Sequence, residues 1–152
     1  MIRLKDYEIN EKTLAILPYD KNKSVIYEDK DCYILEKSVN KIMDESCRYY
    51  GSTFEGRQKG SSTLTGITYK VPIIISEENN MIFFPTNSPR LKECGWISLN
   101  NLNRYYEKEN KIILEFMNKE VVELSISENI IRNQILKASF LESAIRKRLK
   151  KQ

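Results

Sequence analysis

Residues 71–85 read Val-Pro-Ile-Ile-Ile-Ser-Glu-Glu-Asn-Asn-Met-Ile-Phe-Phe-Pro. Two apolar runs, 71–75 and 81–84, flank the polar turn 76–80, the pattern of a strand folding back on its neighbour. Working outward, similar short runs recur on both sides. Upstream, strands are expected at 7–9, at 13–17 closed by Pro18, at 25–27, at 32–35 and at 64–69, with turns such as Asp20-Lys21-Asn22-Lys23 between them. Downstream, 94–99 reads as a strand, and 112–117 with 121–124 as a hairpin turning at Asn118-Lys119.

Two stretches follow a helical period instead. Val39, Ile42, Met43, Ser46 and Tyr50 fall on one side of a short helix with Lys41 and Arg48 opposite, and Gly51 is placed to end it in the left-handed conformation. A second helix should begin at Ser127, an apt N-cap with Glu128 in the first turn. Its apolar stripe is Ile131, Ile135, Ala138, Ile145 and Leu149, interrupted by Glu142. Leu136 and Phe140 sit on nearly the opposite side, so the helix is either buried on two faces or pairs there with a second copy. The expected fold class is α+β: a mostly antiparallel β domain with a short central helix and a long C-terminal helix. A chain of 152 residues suits one domain, 1–152, with a basic helical tail over about 127–152.

Composition narrows the chemistry. Hydrophobic residues make up 41% and charged residues 30%, an ordinary globular profile. The longest apolar runs are too short to cross a bilayer, and the charged start leads into no signal region, so the expected location is the cytoplasm, at the nucleoid. Cys32, Cys47 and Cys94 are odd in number and widely spaced, which reads as buried thiols rather than a disulfide framework. The chain has no histidine. That removes the common ligand of zinc sites and the usual general base for Ser or Cys nucleophiles, so neither metal, cofactor nor enzymatic activity is expected.

Charge is the informative feature. Residues 132–152 carry seven basic and one acidic side chain, and residues 41–70 five and three, while the rest is balanced or acidic. Five of the eight arginines fall in these two regions: Arg48, Arg57, Arg132, Arg146 and Arg148. Clustering of this kind suits a polyanionic partner. Lysine and asparagine abundance alone means less, because a bias toward AT-rich codons produces it. Residues 51–66 hold four of the five glycines among Ser, Thr, Arg and Lys, which reads as a flexible loop able to meet phosphates, or simply as a turn. No P-loop or dinucleotide motif is present in it. Trp96 reads as core, the nine tyrosines permit base stacking, and Glu77-Glu78 reads as a solvated pair in a turn.

Several ordered words resemble the ComK family. Ser46-Cys47-Arg48-Tyr49-Tyr50-Gly51-Ser52-Thr53-Phe54-Glu55-Gly56-Arg57 is similar to its signature run, and Lys70-Val71-Pro72-Ile73 to its Lys-x-Pro-Ile segment. Phe83-Phe84-Pro85-Thr86, Cys94-Gly95-Trp96-Ile97-Ser98, Glu123-Leu124-Ser125-Ile126-Ser127 and Asn133-Gln134 follow in the family's order, over about residues 6–145. The resemblance implies an activator of genes for DNA uptake and recombination that acts as a multimer on AT-rich duplex boxes, with the minor groove implicated. No residue-level DNA contacts come with it. From charge and position the expected DNA-facing set is Arg48, Ser52, Thr53, Arg57, Lys59 and Lys70, with Arg132, Arg146, Lys147 and Arg148 from the tail. Arg57 is expected to enter the groove from its loop, and the tail to hold phosphates. Leu136 and Phe140 are the candidate oligomer contact. A module for single strands or RNA is the alternative reading. Some relatives continue past the last helix into an extension tied to proteolysis through an adaptor; this chain stops at Gln152, which weakens the expectation of that partner.

Overall fold

The computed structural model describes residues 1–151. In chain order they form β1 (Ile2–Leu4), β2 (Thr13–Asp20), β3 (Lys23–Glu28), β4 (Asp31–Leu35), α1 (Val39–Tyr49), α2 (Phe54–Thr65), β5 (Ile73–Ser76), β6 (Met81–Pro85), β7 (Trp96–Ser98), β8 (Leu102–Lys108), β9 (Lys111–Phe116), β10 (Val121–Leu124) and α3 (Glu128–Lys150). Seven strands form one sheet in the order β1-β4-β3-β2-β7-β6-β5, antiparallel except where β1 runs parallel to β4. A second antiparallel sheet is ordered β10-β9-β8. The fold class is α+β. No helix among the described residues is long and apolar enough to cross a membrane.

The large sheet is covered on both faces, and this explains the opening stretch of sequence. Ile73 and Ile75 of β5 and Phe83 of β6 join Trp96, Ile42 and Met43 on the α1 side. Ile74, Ile82 and Phe84, pointing the other way, meet Leu114 of the small sheet and Ile131, Ala138 and Leu141 of α3. A strand buried on both faces loses its polar alternation and reads as one apolar run. Cys47 and Cys94 are buried thiols as expected, whereas Cys32 of β4 is only half-buried.

The helix ends follow local chemistry. Gly51, at φ 90°, donates to Arg48 O and Ser52 N to Cys47 O, each at 3.0 Å, which closes α1 in a Schellman motif. Ser127 caps α3, its hydroxyl accepting from Ile130 N at 3.2 Å.

Four expectations need correction. The segment 7–9 is not a strand: Ser46 Oγ accepts from Ile9 N at 3.0 Å and Tyr50 Oη donates to Ile9 O at 2.9 Å, so side chains of the α1 region replace a ladder. Residues 54–65 are not a loop, and 64–69 not a strand, because α2 occupies this stretch and ends at Gly66, at φ 79°. Its glycines disfavour a helix by roughly 1 kcal/mol each. Anchors at the start offset that cost: Thr53 Oγ1 accepts from Gly56 N, Asp44 Oδ1 accepts from Phe54 N, both at 2.9 Å, and the Phe54 ring meets Trp96 edge-on at 5.6 Å.

Two further strands carry too weak a pattern to be read. β1 is three residues long, and β8 is largely exposed and pairs only with β9. The fourth correction concerns α3, which buries Ile131, Gln134, Ala138, Leu141 and Ile145, while Leu149 is exposed. Buried Gln134 is accommodated because its Nε2 donates to Lys70 O at 3.0 Å and Pro85 O at 2.9 Å. Glu142 lies at the rim of the core and accepts from Asn80 Nδ2 at 2.9 Å. Gln152, the end of the expected tail, lies outside the described residues.

Candidate nucleic-acid interface

Helices α2 and α3 pack against each other. The start of α2, with Gly56 and Arg57, meets the last turns of α3 at Ile145 and Arg148. The segment beyond the end of α2, Tyr69-Lys70, meets the middle of α3 at Gln134 and Lys137. The two basic stretches of the chain therefore share one face, though β5 to β10 lie between them in sequence.

At the first end lies a cleft of about 100 Å³ whose walls include Ser52, Arg57, Gly60, Ser61, Glu77 and Arg148. Arg148 Nη2 donates to Glu77 Oε1 at 2.7 Å, so Glu77 is an ion-pair partner and not simply solvated as expected. Arg57 forms no salt bridge among the described residues, and its Nε, together with Ser61 Oγ, is buried with no hydrogen-bond partner in the protein. Burial pushes the Cys47 thiol up to about 11, against the pull of the nearby Arg57 guanidinium.

At the second end Tyr69 is 63% exposed, with the ammonium groups of Lys70 and Lys137 at 6.0 and 5.5 Å from its ring centroid. Lys137 Nζ also donates to Tyr69 O at 2.6 Å. Burial first, and then the like charge of Lys70, hold Lys137 below the ordinary lysine range. Lys70 itself sits at φ 49°, a left-handed conformation that Gln134 secures through the Lys70 carbonyl. Along α3 the two ends lie roughly three turns, or about 16 Å, apart and on the same side of the helix.

The remaining expected residues scatter between structural and exposed roles. Thr53 caps α2. Arg48 is paired with Asp44 at 2.7 Å, Lys59 with Glu55 at 2.8 Å, Arg146 with Glu142 at 3.6 Å, and Arg132 with Glu128. Such exposed pairs are worth about 0–1 kcal/mol, so a phosphate can displace the carboxylate at little cost. Lys147 is exposed and forms no salt bridge among the described residues. Several cations of the last turn, Lys147, Arg148 and Lys150, also oppose the helix dipole, which is a structural use of the same charge. Leu136 is 61% and Phe140 52% exposed, so burial of α3 on two faces does not account for them.

A family model for the ComK protein matches residues 4–150. The chain belongs to the ComK family. It is also 33% identical, over 151 residues, to the "Competence transcription factor" of Bacillus subtilis (strain 168), an alignment spanning 96% of this chain and 78% of that protein. No solved structure matches.

In this ComK-family chain the quoted words are neighbours in space. The run 46–57 is the corner between α1 and α2 that carries Arg57, and Trp96 of the Cys94–Ser98 word receives Phe54 of that corner. The word at 133–134 is tied to the one at 70–73 through Gln134 and the Lys70 carbonyl. Sequence reasoning missed Tyr69, Lys137 and Ser61. For Lys137 a signal existed, since it returns to the Arg148 side of a helix after three turns. For Ser61 there was none, because only the packing of α2 on α3 buries it.

Proposed function

We propose that this chain is a DNA-binding regulator of competence transcription that works as one 1–152 domain, by binding and not by catalysis, and grips duplex DNA with the α2–α3 face. The observation that carries the reading is the convergence of the two basic stretches on that face, one cationic cluster at each end. Clusters about 16 Å apart on a helix can meet phosphates of the two strands that border one groove, and the narrow minor groove of A-tracts brings such phosphates close. The preference for AT-rich boxes is then read through groove shape. Arg57 stands in α2 with Nε buried, so it holds a phosphate and does not swing into the groove from a loop. Exposed Leu136 and Phe140 lie beside this face and supply the pairing surface for a second copy, as a multimer on repeated boxes requires. The place of action is the nucleoid in the cytoplasm.

The test is fluorescence anisotropy with AT-rich and GC-rich duplexes over a salt series. AT-rich duplex should bind more tightly, with log K falling by about 0.9 per phosphate neutralised for each unit of log salt. Equal affinity for the two duplexes would remove the groove reading. A preference for single strands, for which the exposed Tyr69 between two lysines offers a stacking surface, would replace it.

A further inference from the structure

We propose that the cleft between the start of α2 and the end of α3 is an oxyanion site that takes one phosphate group, with Arg57 and Ser61 as its inner donors and Arg148 at its rim. The proposal rests on the DNA-binding reading only for the source of the phosphate.

Two polar atoms in this cleft are left unanswered by the protein. Arg57 Nε and Ser61 Oγ are both buried, both without a protein partner, and both belong to residues lining this cleft; Ser61 is only 4% exposed. The third such atom among the described residues, Trp96 Nε1, belongs to the core on the other side of the sheet. Leaving a buried donor unpaired costs about 1–3 kcal/mol, more when the group is charged. A guanidinium can only donate and a serine hydroxyl can donate, so the group that answers both is rich in acceptors and negatively charged. Arginine favours phosphate through this donor geometry.

The walls fit one small anion. A Cβ added at Gly60 would meet nothing within 4 Å, whereas one at Gly56 would press on the Ser52 and Thr53 hydroxyls at 3.0 Å, so the glycines keep the start of α2 close-packed and its next turn open. The cleft volume of about 100 Å³ leaves room for a small oxyanion beside Arg57 and Ser61. Glu77 holds Arg148 at 2.7 Å and places a carboxylate at the entrance. An entering phosphate has to compete with that carboxylate for Arg148, which keeps the affinity for a lone anion low.

The experiment titrates the full chain with inorganic phosphate against chloride at constant ionic strength, reading backbone amide shifts. Saturable shifts confined to residues 56–61 and 145–148 are expected. Arg57→Gln and Ser61→Ala should weaken binding by roughly tenfold or more, the scale of a hydrogen bond to a charged group. Glu77→Gln should tighten it several-fold. Ser61→Ala should keep or raise Tm without phosphate, because it deletes an unpaired hydroxyl, so its loss of binding is separable from loss of fold. AT-rich duplex added to the phosphate-saturated chain distinguishes the sources: displacement assigns the site to a DNA backbone phosphate, and retention assigns it to a free phosphate-bearing ligand. Failure to bind any duplex with phosphate binding intact would sink the DNA reading and leave the site standing. Shifts that never saturate, or that are the same in wild type and Arg57→Gln, mean that the cleft holds only water, and the site is overturned.

Discussion

The strand pair β5–β6 and the helix α2 are close in sequence and built on opposite principles. Every residue of β5 and β6 is buried, and the pair is held by apolar packing on both faces of the sheet. Only Ser61 of α2 is fully buried, and the helix is held at its edges: by the Thr53 cap, by Asp44 at the Phe54 amide, by the Phe54 ring on Trp96 and by Gly66 at its end. The first region supplies stability. The second spends little surface on the core and leaves Arg57 and its neighbours free to face a partner, the division expected where function rides on a rigid scaffold.

This contrast can be broken, or made sharper, by substitution. The largest effect should come from Phe83→Ala in β6, a fully buried ring whose loss should cost about 3–5 kcal/mol, seen as a fall in the denaturant midpoint. A loss below 1 kcal/mol would show that the sheet is not the source of stability. Next, Thr53→Ala removes the cap of α2 and should cost about 1 kcal/mol, with amide exchange rising in α2 before the strands. Exchange that rises uniformly would mean that α2 is integral to the core.

In the other direction, Gly60→Ala adds a Cβ into open space and should stabilise by about 0.5–1 kcal/mol through lower chain entropy. A destabilised protein would mean that the wall at residue 60 is closed. The smallest effect concerns pH. The hydrogen bond from Arg48, and then the one from Phe54 N, hold the Asp44 carboxyl below its ordinary value of 3.8. A folded-state pKa lower than the unfolded one means stability fully present above about pH 4 and lost as pH falls through the lowered value. Asp44→Asn should therefore flatten the part of the acid unfolding curve that lies below pH 4, and should change stability at neutral pH only slightly, since the carboxylate is partly exposed. An unchanged acid limb would release Asp44 from the α1–α2 corner.

Much of the architecture was legible because it is encoded by neighbours in sequence. The strands of 71–85 announce themselves by continuous burial, and Gly51 and Ser127 by the backbone groups within a few residues that they satisfy. The site was legible as charge but not as geometry. Arg57 and Arg148 could be singled out as cations, yet their convergence, and the partner that each has or lacks, could not be read.

By itself the sequence determined the α+β class, the strand pair within 71–85, the C-terminal end of α1 and the start of α3, and the excess of positive charge in two stretches. These follow from periodicity and capping, interactions that span a turn or less. Tertiary structure alone decided that the glycine-rich stretch is a helix and that Glu77 answers Arg148. It alone decided that Arg57 Nε and Ser61 Oγ share one cleft without a partner. A helix with a weak apolar pattern takes its stability from what it packs against. The state of a charge depends likewise on carboxylates that only the completed fold brings within reach.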